Sequence, residues 1–408
     1  MNIALIFIRF PPITLANRES LPILQDMIKR LVQTELQNRL QSYPAVALVG
    51  ARQCGKTTLA QSLTGKYFDL EQEPDRLRVD LEWTELTAGK QLVILDEAQN
   101  WPEIFPRLRG AIDRDRKRNG RFLLLGSVAP SLMEQVSESL AGRLSLLELT
   151  PLLKTELGDN LDTHKHWLLG GYPDGGILRQ AKYPRWQLDY LTLLTQRDLP
   201  AWGLTSAPQM TDRLLRMLAA LHGQTWNASQ VGQSLGIHHK TVNGYLDYLE
   251  GAFLIRRLRP YLANIKKRLV KSPKVYWRDS GLLHALSGVP NQRALLAQPW
   301  VGASWEGYVI EQILGVLTAT GRTFNAHYFR TSDQYELDLV LELDSELWAI
   351  EVKLTSFPSP DDMRRLDKTA DMIGATRRIL LSQVAKPSGD ERRGSLNLHS
   401  LLDYFTNG

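Results

Sequence analysis

Short apolar runs separated by polar, helix-compatible stretches dominate the first 150 residues. Strands are predicted at about 45–49, 66–70, 92–95, 121–125 and 144–149, alternating with helical segments. That alternation argues for a parallel sheet flanked by helices, an α/β fold. Met27 opens an amphipathic stretch through Leu40. From Pro151 to about Ala201 the pattern is that of a mostly helical connector, in which Gly170-Gly171-Tyr172-Pro173 reads as a turn. Asn227–Leu235 and His238–Glu250 then read as two short helices, the second with Val242, Tyr245, Leu246 and Leu249 at helical spacing, and Gly236-Ile237 makes the turn between them. Phe253-Leu254-Ile255 and Lys274–Trp277 read as two further strands. The last third gives a helix over Trp305–Ile313 and strands over His327–Thr331, Tyr335–Leu341 and Leu347–Lys353. The expected division is an extension over 1–26, an α/β unit over 27–150, a helical connector over 151–201, a helical unit with a two-stranded wing over 202–289 and a second α/β unit over 290–408. No internal repeat or low-complexity tract is apparent.

The first apolar run leads into Gly50-Ala51-Arg52-Gln53-Cys54-Gly55-Lys56-Thr57-Thr58 and then Leu59-Ala60. Strand, glycine loop and helix is the context in which G-x-x-x-x-G-K-[ST] builds a phosphate cradle. The glycines let backbone N–H groups turn inward, and the helix N-terminus adds positive potential at the same spot. Gly50, Arg52, Gln53, Gly55, Lys56, Thr57 and Thr58 form the expected ATP-binding set, with Lys56 reaching the β- and γ-phosphates and Thr57 ligating Mg²⁺. About 40 residues downstream, the run ending Leu95-Asp96-Glu97 places two carboxylates at a strand tip. Folding does not require an acid pair there. A P-loop ATPase does: Asp96 to hold Mg²⁺ and Glu97 to polarise the attacking water. Ser127, after the fourth run, is either a turn serine or a contact to the γ-phosphate or the water. Arg143 is either a surface arginine or an arginine finger, in its own subunit or across a homo-oligomer.

Composition narrows the class. The 408 residues, 43% hydrophobic and 23% charged, imply two or three ordinary globular domains. One cysteine, Cys54, excludes an intrachain disulfide and suggests a reducing compartment, the cytoplasm. It fills a variable loop position, where oxidation would block nucleotide. No apolar run approaches the roughly 20 residues of a membrane-spanning helix. Met1–Ile8 is apolar, but Arg9 follows it rather than preceding it, the wrong order for a signal peptide. The first 26 residues read as a loose extension or an early start.

The net charge of +5 is modest, but nine Lys/Arg fall between Gly251 and Ser280, opposed only by Asp279. Such a block is often a solvated face. Here it follows a helix-turn-helix pattern, so Lys240, Thr241 and Asn243 are candidates to face a DNA groove, and Arg256, Arg257, Lys266, Lys267 and Arg268 to meet phosphates. His238 and His239 have no partner at metal-ligand spacing and read as polar helix-start residues. Winged helices also serve as protein-contact modules.

In the last unit, Glu351 and Lys353 share one face of a strand. With Asp338 and an acid of the preceding helix, Glu306, they form a possible Mg²⁺-dependent nuclease site. The alternative is an alternating strand with charges in solvent.

These marks in order resemble a family of bacterial and archaeal ATP-binding proteins with an AAA-type P-loop domain (AAA_14) and a C-terminal domain labelled DUF4143. Besides the loop and Leu95–Gln99, the resemblance rests on Leu140–Arg143, Pro151-Leu152 with Glu156, Gly170–Pro173 and Arg197-Asp198-Leu199. It continues through Lys274–Trp277 with Asp279 and Gly281-Leu282, Phe329–Thr331 with Glu336–Asp338, and Glu351–Lys353. It spans Met27 to about Lys353; Trp277 departs from a usual phenylalanine. The resemblance implies a P-loop NTPase core, a winged helix and a domain similar to PD-(D/E)xK nucleases. The expectation is a Mg²⁺-dependent ATPase whose nucleotide state drives a DNA-contacting module, or, alternatively, a nucleotide switch that binds a protein partner and keeps the nuclease fold for shape.

Overall fold

The computed structural model describes residues 28–126, 140–158, 161–178, 182–262, 269–390 and 392–407. The predicted extension over 1–26, Ser127, Lys266, Lys267 and Arg268 lie outside the described residues.

The first sheet holds β1 (Ala45–Val49), β2 (Gly65–Asp69), β3 (Leu92–Asp96), β4 (Phe122–Gly126) and β5 (Leu144–Glu148) in the order β2-β3-β4-β1-β5, all parallel. β1 and β4 are buried at every position, as continuous apolar strands covered on both faces must be. β2, at an edge, buries only Phe68 fully. Helix Ile104–Arg114 covers one face through Ile104, Phe105, Leu108 and Ile112. Helix Val32–Ser42 packs Val32 and Leu36 into the other core.

The connector is helical, as expected, over Lys154–Leu157, Thr163–Leu169 and Arg185–Leu193. It also holds two single-turn π-helical segments, Pro173–Ile177 and Leu194–Asp198. Helices Pro208–Ala220, Ala228–Leu235 and His239–Gly251 follow, burying Leu214, Leu218, Val231, Leu235, Val242, Leu246 and Leu249. His238 caps the last of these, its Nδ1 accepting the Lys240 N–H. The first strand of the following hairpin starts later than predicted. Phe253 has φ +59°, which is incompatible with a strand, and β6 runs over Ile255–Pro260, antiparallel to β7 (Lys274–Trp277).

This hairpin does not stand alone. β6 pairs with β8 (Phe324–Arg330) through Arg259 and Pro260, continuing into β9 (Glu336–Leu343), β10 (Glu346–Val352), β11 (Arg377–Leu381), β12 (Ser388–Gly389) and β13 (Arg393–Leu396). The resulting eight-stranded mixed sheet is ordered β12-β13-β11-β10-β9-β8-β6-β7. Helix Val301–Ala319 is buried nearly all round, and one hydrophobic core runs from it through the connector to the first sheet. Among the described residues no helix is long and apolar enough to cross a membrane.

Candidate nucleotide site and a second carboxylate centre

β1 ends at Val49, and the loop folds over its carboxyl end into helix Lys56–Gln61. Two glycines are required by geometry. A Cβ on Gly50 would lie 2.1 Å from the Leu149 carbonyl oxygen, and Gly55 sits at φ +102° where the helix begins. Gly55 offers no side-chain cap, so the first amides of the helix are left for a ligand. The Lys56 ammonium is buried and donates to the carbonyls of Gly50 and Ala51, 2.9 Å each. Gln53 is exposed at φ +62°, and the Thr57 and Thr58 side chains lie on the open side. Cys54 is buried against the Leu149 carbonyl, a packing position.

Asp96 ends β3 beside this loop. Its Oδ2 accepts the Thr57 hydroxyl and the Tyr67 hydroxyl, each at 2.7 Å, while Oδ1 accepts the Glu97 N–H at 2.9 Å. A hydroxyl and a carboxylate converging on one point fit a hexacoordinate Mg²⁺ that keeps several waters. Glu97 adopts φ +49°, a left-handed backbone conformation strained for a residue that carries a side chain. Burial raises its pKa, opposed by the hydrogen bond from Gln99 and the charge of Lys56. A carboxylate desolvated in this way is a better proton acceptor.

Beside the helix start, a cavity of about 470 Å³ is lined by Ile28, Arg30, Thr58, Leu59, Pro173 and Leu178, among others. It joins apolar walls to the phosphate loop, the arrangement expected of a ligand pocket. Arg30 braces it: its guanidinium donates to the carbonyls of Cys54 (2.9 Å) and Thr150 (2.6 Å) and pairs with Glu156 at 3.0 Å. Arg52 reaches away from the loop to an ion pair with Asp198, which Arg197 also contacts at 3.0 Å. The Tyr190 hydroxyl donates to the Arg52 carbonyl at 3.3 Å. The phosphate loop is therefore tied to the connector at the π-helical turn that carries Asp198.

Arg143 is not an arginine finger for its own loop. It precedes Leu144, which pairs with Ala45 at the start of β1, whereas the loop follows Val49 at the other end. It binds Asp113 through two hydrogen bonds of 2.8 and 3.0 Å.

The candidate DNA contacts divide. Lys240 and Thr241 are exposed. Asn243 accepts the Trp226 indole N–H at 2.9 Å. Arg256 pairs with buried Glu311, and Arg257 with Glu250 and Asp247, so both guanidiniums are held by acids rather than free for phosphates.

The four acids and bases expected in the last unit do come together, with three residues that sequence reasoning had not assigned to the site. Lys353 contacts Glu351 at 2.6 Å, and the Val352 N–H donates to Asp338 at 2.9 Å. Lys274 lies among the acids: its ammonium is 2.9 Å from Glu306, 2.7 Å from Glu336 and 3.8 Å from Asp338. The Tyr276 hydroxyl donates to the same Glu306 oxygen that Lys274 contacts. Burial, then Glu306 and Glu351, push the Asp338 pKa well up. Burial lowers that of Lys274, but the surrounding carboxylates outweigh it and push it up. Strand alternation could have found these partners, since Lys274 and Tyr276, like Glu336 and Asp338, are two apart on one strand.

Family models match in sequence order: an AAA domain over 42–158, a domain of unknown function (DUF8612) over 160–293 and a domain of unknown function (DUF4143) over 301–399. Two curated relatives, the uncharacterized proteins Rv2008c of Mycobacterium tuberculosis and Mb2031c of Mycobacterium bovis, are each 39% identical over 337 residues. Those matches cover 81% of this chain and 75% of each relative. Among solved structures, a Walker-type ATPase of Pyrococcus abyssi aligns with a TM-score of 0.45 and 19% identity, over 65% of this chain and 97% of that one. A STAND-class signal-transduction ATPase of Pyrococcus horikoshii aligns at 0.24 with 10% identity, over 70% and 46%. With the phosphate loop, the Asp96-Glu97 strand tip and the later marks in order on one chain, this protein belongs to the family that joins an AAA-type ATP-binding domain to a C-terminal DUF4143 domain.

Proposed function

We propose that the chain hydrolyses ATP with Mg²⁺ at the loop between β1 and its helix, and that the nucleotide state is passed to the helical unit and the second sheet. The observation that carries this reading is the Thr57–Asp96 contact beside a half-buried Glu97 in a left-handed backbone conformation. Thr57 and Asp96 would hold the Mg²⁺, which offsets phosphate charge; Lys56 would exchange two carbonyls for phosphate oxygens; Glu97 would orient the water and take its proton. Gln53 and Thr58 would flank the phosphates, Arg52 would do so only on leaving Asp198, and the cavity beside Thr58 and Pro173 is of a size and apolarity to take the nucleoside. Arg143, half-buried at the far end of the sheet, would have to leave Asp113 to act on the loop of a neighbouring copy in a head-to-tail homo-oligomer. The compartment proposed is the cytoplasm.

Helices Ala228–Leu235 and His239–Gly251 with the β6–β7 hairpin have the order of a winged helix, and exposed Lys240 and Thr241 support DNA as its ligand. The commitment of Arg256 and Arg257 to acids favours the second reading, a switch that binds a protein partner. ATP turnover with and without duplex and single-stranded DNA, with Lys56→Ala as control, separates them. Stimulation by DNA that vanishes in the variant supports the first reading; turnover indifferent to DNA supports the second. Absence of any turnover that Lys56→Ala removes would sink hydrolysis itself.

A further inference from the structure

Resemblance to PD-(D/E)xK nucleases implies a divalent metal held by Glu306, Asp338 and Glu351, with Lys353 beside it. The side chains do not fit that group. Glu306 Oε1 is bound by both the Lys274 ammonium at 2.9 Å and the Tyr276 hydroxyl. Glu336 is bound by Lys274 at 2.7 Å. Asp338 gives Oδ2 to the Val352 N–H and faces Lys274 with Oδ1 at 3.8 Å. Glu351 gives Oε1 to Lys353, and only its Oε2 is buried without a hydrogen-bond partner. A divalent cation needs about six oxygen ligands and draws several from carboxylates or water. Glu306 Oε2, Asp338 Oδ1 and Glu351 Oε2 make no hydrogen bond, but any ion drawn to them would sit close to a buried ammonium that already lies within 4 Å of Glu306, Glu336 and Asp338. Lys274 is 3% exposed at the start of β7, so its ammonium is held out of solvent among these carboxylates. Among the described residues no three acidic or imidazole side chains are grouped to hold a metal.

We propose that the Lys274 ammonium is the resident cation of this centre, taking the place of a divalent metal. The cluster is then an ionic lock that fastens strand β7 to helix Val301–Ala319 through Glu306 and to β9 through Glu336 and Asp338. It is not a hydrolytic centre. The geometry accounts for features a metal site leaves unexplained. Glu336, two residues from Asp338, turns inward to the ammonium, and the Tyr276 hydroxyl completes the shell around Glu306. The lock is independent of the nucleotide reading, since none of its residues touches the phosphate loop.

The test is Mn²⁺ binding by the nucleotide-free full chain, followed by electron paramagnetic resonance. The wild type and Asp338→Asn should bind Mn²⁺ equally, within twofold, because any ion at the phosphate loop is common to both. A wild-type site that Asp338→Asn weakens tenfold or more overturns the proposal. In a second arm, Lys274→Met should gain a Mn²⁺ site at least tenfold tighter than any in the wild type, and the gain should vanish in Lys274→Met/Asp338→Asn. A Lys274→Met chain that folds and gains no Mn²⁺ also overturns it. If Lys274→Met fails to fold, the comparison of wild type with Asp338→Asn still decides.

Discussion

A buried lysine serves each of the two sheets, Lys56 just past β1 and Lys274 at the start of β7, and the two are held in opposite ways. Lys56 rests on the carbonyl oxygens of Gly50 and Ala51. These are neutral acceptors within its own loop, and an arriving phosphate replaces them with charge-assisted bonds about twice as strong. Lys274 is clasped by the carboxylates of Glu306 and Glu336 from two other elements. Nothing a ligand offers improves on that, and withdrawing the ammonium would leave buried anions uncompensated. The same functional group is thus reversibly parked in one sheet and permanently committed in the other. The distinction lies in the charge of the partners rather than in burial, which is nearly complete for both at 7% and 3% exposure.

The largest consequence is for stability. Lys274→Met should lower unfolding stability by about 3–5 kcal/mol, because it strips the counter-ion from buried carboxylates; chemical denaturation reads this as a fall in midpoint. A loss below about 1 kcal/mol would mean the carboxylates carry protons instead, and the contrast between the two lysines would fail. Lys56→Ala should do the reverse. Its midpoint should stay near that of the wild type while ATP turnover falls roughly 10²- to 10³-fold, the scale for removing one charge stabiliser. Glu97→Gln should lower turnover about 10²-fold or more with ATP affinity retained, which separates proton acceptance from binding.

A last effect concerns acid. Burial holds the pKa of His284 down at about 4. Its neutral ring lies between the Leu168 carbonyl (3.0 Å) and Ser304 Oγ (2.7 Å). A histidine whose folded value is lowered gives its full contribution above its unfolded value of about 6.5 and loses it as pH falls towards 4. The stability advantage of the wild type over His284→Gln should therefore shrink by up to about 1.4 kcal/mol per unit between pH 6.5 and 4. A gap constant with pH would show that this histidine titrates normally.

The first sheet was legible because its signals are local. Continuous apolar strands, a glycine loop and an acid pair at a strand tip each fall within one short window, and the five predicted strands match to within a residue. Asp96 and Thr57 were readable as a pair because both belong to motifs. Tyr67, which shares the Asp96 oxygen, was not, since a tyrosine on an edge strand carries no pattern. The second centre was half legible. Glu306, Asp338, Glu351 and Lys353 carry the spacing of acids on a helix and two strands. Lys274 lay hidden in a basic run whose average character suggested a solvated or DNA-facing block. Its inward orientation depends on β6 and β7 joining a sheet whose other strands begin 50 residues later, a pairing that no short window contains. The same long-range pairing turned Arg256 towards Glu311.

The shared hairpin bears on how such chains are inherited. The two later family segments meet between residues 293 and 301, yet β6 and β7 of the earlier one complete the sheet of the later one and supply the counter-ion for its acids. A recombination event at that seam would transmit a sheet lacking two strands and a cluster of carboxylates with no ammonium to neutralise it. The heritable module is the pair, and its margin lies upstream of Ile255. Lineages that shuffle these segments should move them together, with Lys274 and Glu336 retained or lost as one.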